Sequence, residues 1–532
     1  MLNARLPLWL VLAAVAAAYV GVPAAGFVWD DQALIVSNRV LDAPTFDNVW
    51  REDLWCCTDT NSSGYYRPLL TVTFLLDHAL YGKNPAGFHV TSLLLHLGVV
   101  ALVAGLLRPR LGDARAAVAA LIFGLHPVQS EAVVWVAARN DLLAAAGVLG
   151  ALLALDSKRP AVAALAAFAA GVSKENAFLL PAVLWVWRRA WGERVERTDA
   201  VALGAGLAAA FVLRSQAALE TEMLEGAELG FGAAAALHGL VTVLGWFAWP
   251  WPLTSTATVY MAPPGFGTWA AALATVVLLA ALIARGGWRA FWLLALGAGV
   301  LAPSALGYRA YGTLGERYVY LALFGVVAAV VATVPARRWS AAALLGGAVA
   351  SLGALHARVP DWATEETLFE AAVRRAPDSY AFTQLALELA RQKRWTESTI
   401  AFDRAIGAAP LRLVACQYAV PVASRVLTDA DLLDRADVWA ARGCRGKLGF
   451  DGARAHALAA RGLWAEAEVV ARGSARNDVP KRRDEVVLAA VDERAGDFTS
   501  AGARAVRWPG GAADLRSQAT ALLQRPLPDV TP

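Results

Sequence analysis

The chain has 532 residues, of which 58% are apolar and 17% are charged, and its mean hydropathy is +0.46. Soluble proteins carry roughly 25% charged residues, so the composition excludes an ordinary soluble protein and indicates a membrane protein. The net charge of +4 is too small for this length to indicate nucleic-acid binding.

The first apolar segment covers residues 6–26 and follows Arg5. Its length and the small residues of Val-Pro-Ala-Ala-Gly at its end would also suit a cleaved secretory signal. Many apolar segments follow, however, which favours an uncleaved first span. The adjacent acids Asp30 and Asp31 then remain attached to a membrane anchor.

Eleven further segments approach the length of about 20 apolar residues that a membrane span needs. They lie at 88–107, 114–137, 141–156, 160–173, 176–191, 199–213, 231–251, 267–284, 289–305, 317–334 and 339–356. Lys and Arg in short loops mark the cytoplasmic side, and their clusters place the loop at 27–87 outside. Twelve spans would return the carboxyl end to the inside, whereas the pair Arg337 and Arg338 directs the last span outward. A re-entrant or missed segment between Thr198 and Thr268 would resolve this conflict.

The chain changes character near His356 to Trp362, because charges are sparse before this point and dense after it. We predict a membrane domain at 1–356 and a helical domain at 361–532. Trp395, Trp464 and Phe498 each precede a small residue by three positions, and the last two are 34 residues apart. This is the period of tetratricopeptide repeats. The alternative is an irregular Ala-rich helical domain.

The four cysteines lie outside the apolar spans, at positions 56, 57, 416 and 444. Their spacing does not match a metal site. A disulfide between Cys416 and Cys444 is compatible with the sequence but has no support from it.

Polar residues of both charge signs occur at the predicted outer ends of several spans. They come from five separate segments: Asp30 and Asp31; Arg67; Glu131, Arg139 and Asp141; Lys174 and Glu175; Glu316 and Arg317. Ionisable groups at membrane depth are costly and usually functional. Each residue alone would also fit a snorkelling side chain or an ion pair between helices. For the whole set we favour convergence on one outer site.

Such a site suits a particular transfer reaction. A carboxylate can accept the proton of an attacking hydroxyl, and Arg or Lys can neutralise a departing phosphate. A sugar linked to a lipid phosphate would bring that leaving group to the membrane edge. The acceptor hydroxyl would then arrive from the aqueous side.

Five motifs together resemble the transmembrane and tetratricopeptide repeat-containing O-mannosyltransferases and their bacterial relatives. They read FVWDDQALIVSN, YYRPLLTVTFLLDHALYGKNPAGFHVTSLLLHL, LIFGLHPVQSEAVVWVAARNDLLAA, VSKEN and GERYVYL, between Phe27 and about Tyr320. The resemblance implies an all-α fold, in which a polytopic GT-C domain precedes a tetratricopeptide-repeat solenoid. It also implies a polyprenyl-phosphate-linked sugar as the donor.

The resemblance implies roles for individual residues. The acidic pair maps to Asp30, as the base, and to Asp31, as a partner that orients the acceptor or the sugar, although the two could exchange roles. Arg67, Lys174 and Arg317 become the candidates for binding the donor phosphate. The supporting polar residues of the outer face are His126, Glu131, Arg139, Asp141, Glu175 and Glu316. For Arg67 and Glu175, ion pairs that hold loops are an equal alternative.

One departure from the family concerns a metal. Relatives often carry a second histidine where this chain has Gln129, so His126 and Glu131 alone remain as ligands, too few for a metal site. We therefore expect metal-independent chemistry without a cofactor.

We predict transfer of a hexose, mannose by resemblance, to a hydroxyl of protein Ser or Thr on the exoplasmic face. The membrane lipid carrier and an acceptor protein held by the repeats are the expected partners. The Ala-rich composition suggests a bacterial plasma membrane. The alternatives are a transporter or flippase of a lipid-linked sugar, which needs no base, and a noncatalytic membrane-anchored repeat scaffold.

Overall fold

A computed structural model describes residues 7–58, 64–217, 233–248, 253, 266–301, 314–335, 338–408, 413–445, 450–475, 487–488, 490–491 and 519. These ranges contain α-helices with short 3-10 and π turns and no β-strand. The prediction of an all-α fold is confirmed. Four features of the sequence lie outside the described residues, namely Arg5, Arg337, the stretch at 254–265 and Phe498.

Contacts divide the chain into two compact units, residues 1–371 and 372–532. The predicted transition at 356–361 falls within the first unit. There a 3-10 turn, Val359–Trp362, follows the last apolar helix. Its Trp362 is fully buried, and the carbonyl of Ala363 accepts a hydrogen bond of 2.9 Å from the backbone N–H of Gly26.

The first unit is a bundle of sixteen α-helices in the described ranges. They are α1 (Leu8–Ala18), α2 (Arg39–Asp42), α3 (Phe46–Trp50), α4 (Pro68–Tyr81), α5 (Pro85–Leu111), α6 (Asp113–Leu125), α7 (Ser130–Val134), α8 (Arg139–Asp156), α9 (Pro160–Gly171), α10 (Leu180–Ala190), α11 (Arg197–Ser215), α12 (Ala233–Ala248), α13 (Phe266–Leu301), α14 (Ala322–Thr333), α15 (Arg338–Arg358) and α16 (Glu365–Arg375), the last of which ends in the second unit.

Four helical segments in the described ranges are long and apolar enough to cross a membrane: Pro85–Leu111, Val136–Asp156, Arg197–Ser215 and Phe266–Val300. The segments Asp113–Leu125 and Pro127–Val134 meet at 55° and would make a fifth span if counted together. Fewer helices thus reach spanning length than the twelve segments that the sequence suggests. Several of the predicted segments instead form apolar helices of 10–17 residues, among them Leu8–Ala24, Pro160–Gly171, Leu237–Phe247 and Ala322–Thr333.

Small residues allow the central helices to approach closely. Helix α8 is buried along most of its length and packs against α5 and α9, and α9 packs in turn against α11. A Cβ added at Gly147 of α8 would lie 2.8 Å from the carbonyl oxygen of Ala166. Close backbone contact through glycine and alanine is how membrane helices gain packing energy.

The second unit contains six α-helices in its described part, besides the end of α16. They are α17 (Ser379–Arg391), α18 (Trp395–Gly407), α19 (Leu413–Ala423), α20 (Asp429–Trp439), α21 (Phe450–Ala460) and α22 (Trp464–Ala475). Their apolar faces form one core that includes Phe402, Trp439 and Phe450. Cys416 and Cys444 form a disulfide that ties α19 to the turn after α20.

Two helical hairpins of this unit repeat the same local design. Helices α17 and α18 connect through Lys393, and α21 and α22 connect through Gly462; both residues adopt a positive φ, 61° and 79°. Each second helix begins at a tryptophan, Trp395 or Trp464. The two hairpins support the predicted repeat, and the assignment to tetratricopeptide repeats remains a prediction.

Candidate active site

The acidic pair lies in a tight turn after α1. Trp29, immediately before the pair, has a φ of 56°, a conformation that is rare for a bulky residue and that clusters at functional sites. Its ring stacks on Trp135 with a centroid separation of 4.6 Å. The ring stacking and the positive φ of Trp29 together determine where the side chain of the next residue, Asp30, points.

Asp31 is fully buried and points into the protein. One carboxylate oxygen accepts a hydrogen bond of 3.2 Å from the N–H of Val28, and the other accepts one of 2.7 Å from the N–H of Ala137. Burial raises the pKa of Asp31 to about 8, although both backbone hydrogen bonds oppose this shift. Asp31 therefore joins the acidic turn to the 3-10 turn that precedes α8.

Asp30 is half-buried, and its carboxylate has no hydrogen bond or ion pair with any residue that the structure describes. Burial raises its pKa to about 6, while the guanidinium groups of Arg317 and Arg67 act in the opposite direction and Glu365 adds to the increase. Both arginines therefore lie within electrostatic reach of Asp30. A carboxylate with this pKa is ionised at neutral pH and still basic enough to accept a proton.

Lys174 lies within electrostatic reach of the same two arginines, and each of these three cations is held by one carboxylate. The pairs are Arg67 with Glu175 at 3.5 Å, Lys174 with Asp141, and Arg317 with Glu131. Burial lowers the pKa of Lys174; Asp141 opposes that effect, and the positive charges of Arg67 and Arg317 add to it. The three cations are thus close enough to repel one another, which favours the binding of an anion among them.

Aromatic rings line the cations. The guanidinium of Arg317 lies 4.8 Å from the centre of the Trp135 ring and 4.7 Å from that of Tyr318. The Lys174 ammonium lies 5.4 Å from the same Tyr318 ring, and Arg67 stacks on Tyr65 at 4.3 Å. These rings keep the cations fixed in orientation without neutralising their charge.

Arg139 has a deeper position than the three cations. It is fully buried, pairs with Asp77 at 2.6 Å, and donates to Ser92, Thr73 and the carbonyl of Phe88. These contacts connect α8 with α4 and α5. Glu316 is also fully buried and pairs with Arg358 at 3.2 Å.

His126 lies at the bend between α6 and α7. Its Nδ1 accepts a hydrogen bond of 3.3 Å from the N–H of Val128. Gln129, at the position of the second histidine of relatives, contacts the carbonyl of Tyr320 at 3.5 Å. No group of three His, Cys, Asp or Glu side chains in the described part of the chain is arranged for a metal. Metal independence stays a prediction.

The sequence interpretation missed three contributors to the site. Tyr318 lies within the motif GERYVYL, and both Lys174 and Arg317 pack against its ring. An aromatic residue next to Arg317 was the feature of the sequence that could have predicted this contact. Glu365 and Trp29 gave no such signal. Glu365 follows the membrane domain in sequence and influences Asp30 only through folding.

The fold and the charges define a class of protein. It is a polytopic membrane protein whose loops carry a carboxylate that can act as a base, together with three cations. Several curated relatives are similar to part of the chain, and they are protein O-mannosyl-transferases. The chain is 35% identical over 137 residues to human protein O-mannosyl-transferase TMTC4. This aligned region covers 22% of the chain and 18% of the relative. It is 34% identical over 130 residues to mouse TMTC2, covering 24% and 16%. With Drosophila melanogaster Tmtc2 it shares 37% over 131 residues, covering 24% and 14%.

The chain therefore matches less than a fifth of the length of these relatives. No protein-family profile matches it, and neither does a solved structure. The resemblance to the transmembrane and tetratricopeptide repeat-containing O-mannosyl-transferases is confirmed by these similarities.

Proposed function

We propose that this protein is a membrane glycosyltransferase that moves mannose from a polyprenyl-phosphate carrier to a Ser or Thr hydroxyl of an acceptor protein. One observation carries the proposal: the Asp30 carboxylate, paired with none of the described residues, lies within electrostatic reach of Arg67 and Arg317. A base beside an anion site is the minimum that this transfer needs. The named activity of the relatives supports it.

In the proposed step, Asp30 accepts the proton of the acceptor hydroxyl while its oxygen attacks the anomeric carbon of the sugar. A bond forms between that oxygen and the carbon, and the bond between the carbon and the phosphate oxygen breaks. The electron pair of the broken bond leaves on the phosphate. A single displacement of this kind inverts the configuration at the anomeric carbon.

Arg67, Lys174 and Arg317 are proposed to bind the phosphate. Each pairs with one carboxylate, which leaves further N–H donors for a phosphate, because a guanidinium has five donors and an ammonium three. The Nε of Arg67 is buried and has no hydrogen-bond partner in the described structure. A phosphate oxygen at this place would satisfy it.

We assign Asp31 a positioning role rather than a contact with substrate. Both of its oxygens already accept backbone hydrogen bonds, from Val28 and Ala137. Its loss would free the turn that aims Asp30.

We further propose that the site and the second unit lie on the exoplasmic side, where the repeats hold the acceptor protein. The Cys416–Cys444 disulfide supports this placement, since disulfides persist in oxidising compartments. The Ala-rich composition supports a bacterial plasma membrane. We propose chemistry without a metal, because the described residues do not gather a ligand set.

The test compares Asp30→Asn with Asp47→Asn, a matched control at an exposed carboxylate of the same loop. Purified full-length protein in lipid vesicles receives polyprenyl-phosphate mannose and a Ser/Thr-rich peptide. We expect mannosyl transfer to fall by at least about 100-fold in the first variant, with donor binding retained, and to be unchanged in the second. Full transfer by Asp30→Asn would overturn the assignment of the base. Movement of the donor lipid across the bilayer without any transfer would favour a flippase instead.

A further inference from the structure

Cys56 and Cys57 form an adjacent pair whose sulfur atoms lie 2.7 Å apart. Both are half-buried, and neither takes part in the Cys416–Cys444 disulfide. A disulfide bond is about 2.05 Å long, so a movement of less than about 1 Å would join the two sulfurs. The transfer chemistry proposed above uses neither residue.

The turn that carries the pair is held on both sides. The N–H of Cys56 donates to the carbonyl of Asp53 at 3.1 Å, and the N–H of Arg39 donates to the carbonyl of Cys57 at 3.3 Å. The Cys56 thiol also contacts the carbonyl of Asn48 at 3.8 Å. These contacts keep both side chains on the same side of the turn, where the thiols face each other.

We propose that Cys56 and Cys57 are a redox-active vicinal dithiol that closes reversibly into a disulfide. The oxidant is a small-molecule or protein disulfide. One thiolate of the pair attacks a sulfur of the oxidant and releases one thiol, and the second cysteine then attacks the mixed disulfide and releases the other. Two protons leave the pair, the two cysteine sulfurs are oxidised, and the oxidant is reduced to two thiols.

Chain geometry makes this disulfide a labile one. The Cα atoms of neighbouring residues are about 3.8 Å apart, less than the range of about 4.4–6.8 Å that disulfides usually span. A strained disulfide is more easily reduced and is typical of regulatory rather than structural bonds. Burial, followed by the neighbouring Cys57 thiol, raises the pKa of the Cys56 thiol.

The turn is connected to the candidate active site. The N–H of Leu54 donates to the carbonyl of Tyr65 at 2.8 Å, and the Tyr66 hydroxyl donates to the carbonyl of Trp50 at 2.9 Å. Tyr65 is the ring on which Arg67 stacks. The segment that carries the cysteine pair is thus hydrogen-bonded to the segment that leads to Arg67.

The test measures the redox state directly and needs no transferase assay. Full-length protein in detergent is equilibrated in glutathione buffers from fully reduced to fully oxidised, blocked with iodoacetamide and digested with trypsin. Trypsin does not cut before Pro68, so both cysteines appear in one peptide, residues 52–83, which has no other cysteine. We expect this peptide to escape alkylation in oxidised buffer, with the mass of the dithiol less two hydrogens, and to become doubly alkylated in reduced buffer.

The Cys416–Cys444 pair in the same digest is the internal control for oxidation. Double alkylation of the 52–83 peptide in the fully oxidised buffer, in which the control pair is protected, would overturn the proposal. A stable glutathione adduct on either cysteine, or a disulfide to another chain, would overturn it as well. The variants Cys56→Ser and Cys57→Ser lack the second thiol, so their remaining cysteine should stop at the glutathione adduct in oxidised buffer and should be alkylated once in reduced buffer. Because the readout is a peptide mass, a failed transferase assay would not affect it.

Discussion

At the scale of single residues, two adjacent carboxylates acquire different properties from their surroundings. Asp31 has both oxygens bonded to backbone N–H groups and no exposure. Asp30 is half-buried, and its carboxylate lies within electrostatic reach of the guanidinium groups of Arg67 and Arg317. The sequence places them together, and their one-residue offset in a turn with a positive φ at Trp29 points them to different sides.

A pH profile tests the role of Asp30 as a base. The base acts in its ionised form, and its pKa is raised to about 6. The transfer rate should therefore be constant above about pH 7 and fall about tenfold per pH unit below pH 6. Initial rates with saturating donor at fixed ionic strength measure this. A profile that stays flat down to pH 5 would remove Asp30 from the proton transfer.

A second prediction concerns the buried pair of Arg139 and Asp77. Loss of one partner leaves the other charge buried and unpaired, so Arg139→Met should destabilise the protein by about 3–5 kcal/mol. Arg51→Met, at an exposed pair with Asp47, is the matched control and should cost about 0–1 kcal/mol.

The double variant Arg139→Met with Asp77→Leu removes both charges and should recover most of the loss. Thermal unfolding of the purified variants in one detergent measures all three. Equal stability of Arg139→Met and Arg51→Met would show that the buried pair does not hold α8 to its neighbours.

At the scale of elements, helix pairs meet where glycine leaves room for backbone. Helix α11 carries two glycines with opposite surroundings. A Cβ at Gly206 would overlap the carbonyl oxygen of Ala164 on α9, whereas a Cβ at Gly204 meets nothing within 4 Å. The close contact of α9 and α11 therefore depends on one of the two positions.

We expect Gly206→Val to separate these helices and to cost about 1–3 kcal/mol through overpacking. Gly204→Val, two residues away on the same helix, should change stability by much less. The difference in thermal unfolding midpoint between the two variants is the measurement. A midpoint of Gly206→Val no lower than that of Gly204→Val would contradict the packing.

The disulfide of the second unit allows another test at this scale. Cys416 and Cys444 are separated by 28 residues, and a bridge of this loop length stabilises a fold by about 3–4 kcal/mol in the chain-entropy description. Replacing both cysteines with alanine should lower the unfolding midpoint of this unit and remove its sensitivity to reductant. Unfolding of the full-length protein with and without dithiothreitol measures both effects. If the unfolding midpoint of the double-alanine variant still shifts with dithiothreitol, the disulfide is not the cause of the sensitivity to reductant.

At the scale of the whole molecule, sidedness determines which compartment supplies the acceptor. The positive residues of short loops predict that the loop at 27–87 is exoplasmic. In a background with Cys56→Ser and Cys57→Ser, an Arg51→Cys variant should react with a membrane-impermeant maleimide in intact cells. Arg108→Cys, exposed at the end of α5, should react only after lysis. The reverse pattern would place the candidate site in the cytosol and would exclude an exoplasmic acceptor.

Several features of this protein follow from the sequence alone. The length of the apolar segments and the periodic spacing of small residues predict helices, because a backbone in lipid must satisfy its hydrogen bonds internally. The residues Asp30, Arg67, Lys174 and Arg317 were assigned to one site from their motifs, and in the structure Arg67 and Arg317 lie within electrostatic reach of both Asp30 and Lys174. Their catalytic roles remain proposals. Two hairpins of the second unit begin their second helices at Trp395 and Trp464, two of the residues that the sequence analysis singled out, and their assignment to tetratricopeptide repeats remains a prediction.

Only the tertiary structure decided which charges meet. Arg317 pairs with Glu131, 186 residues away, and Arg139 turns inward to Asp77 instead of joining the outer cations. A local pattern of the sequence indicates whether a side chain is buried or exposed to solvent. The partner of a buried charge depends on which helices pack together, because the pairing is stable only where geometry and desolvation are satisfied at the same time. That condition exists only in the folded chain.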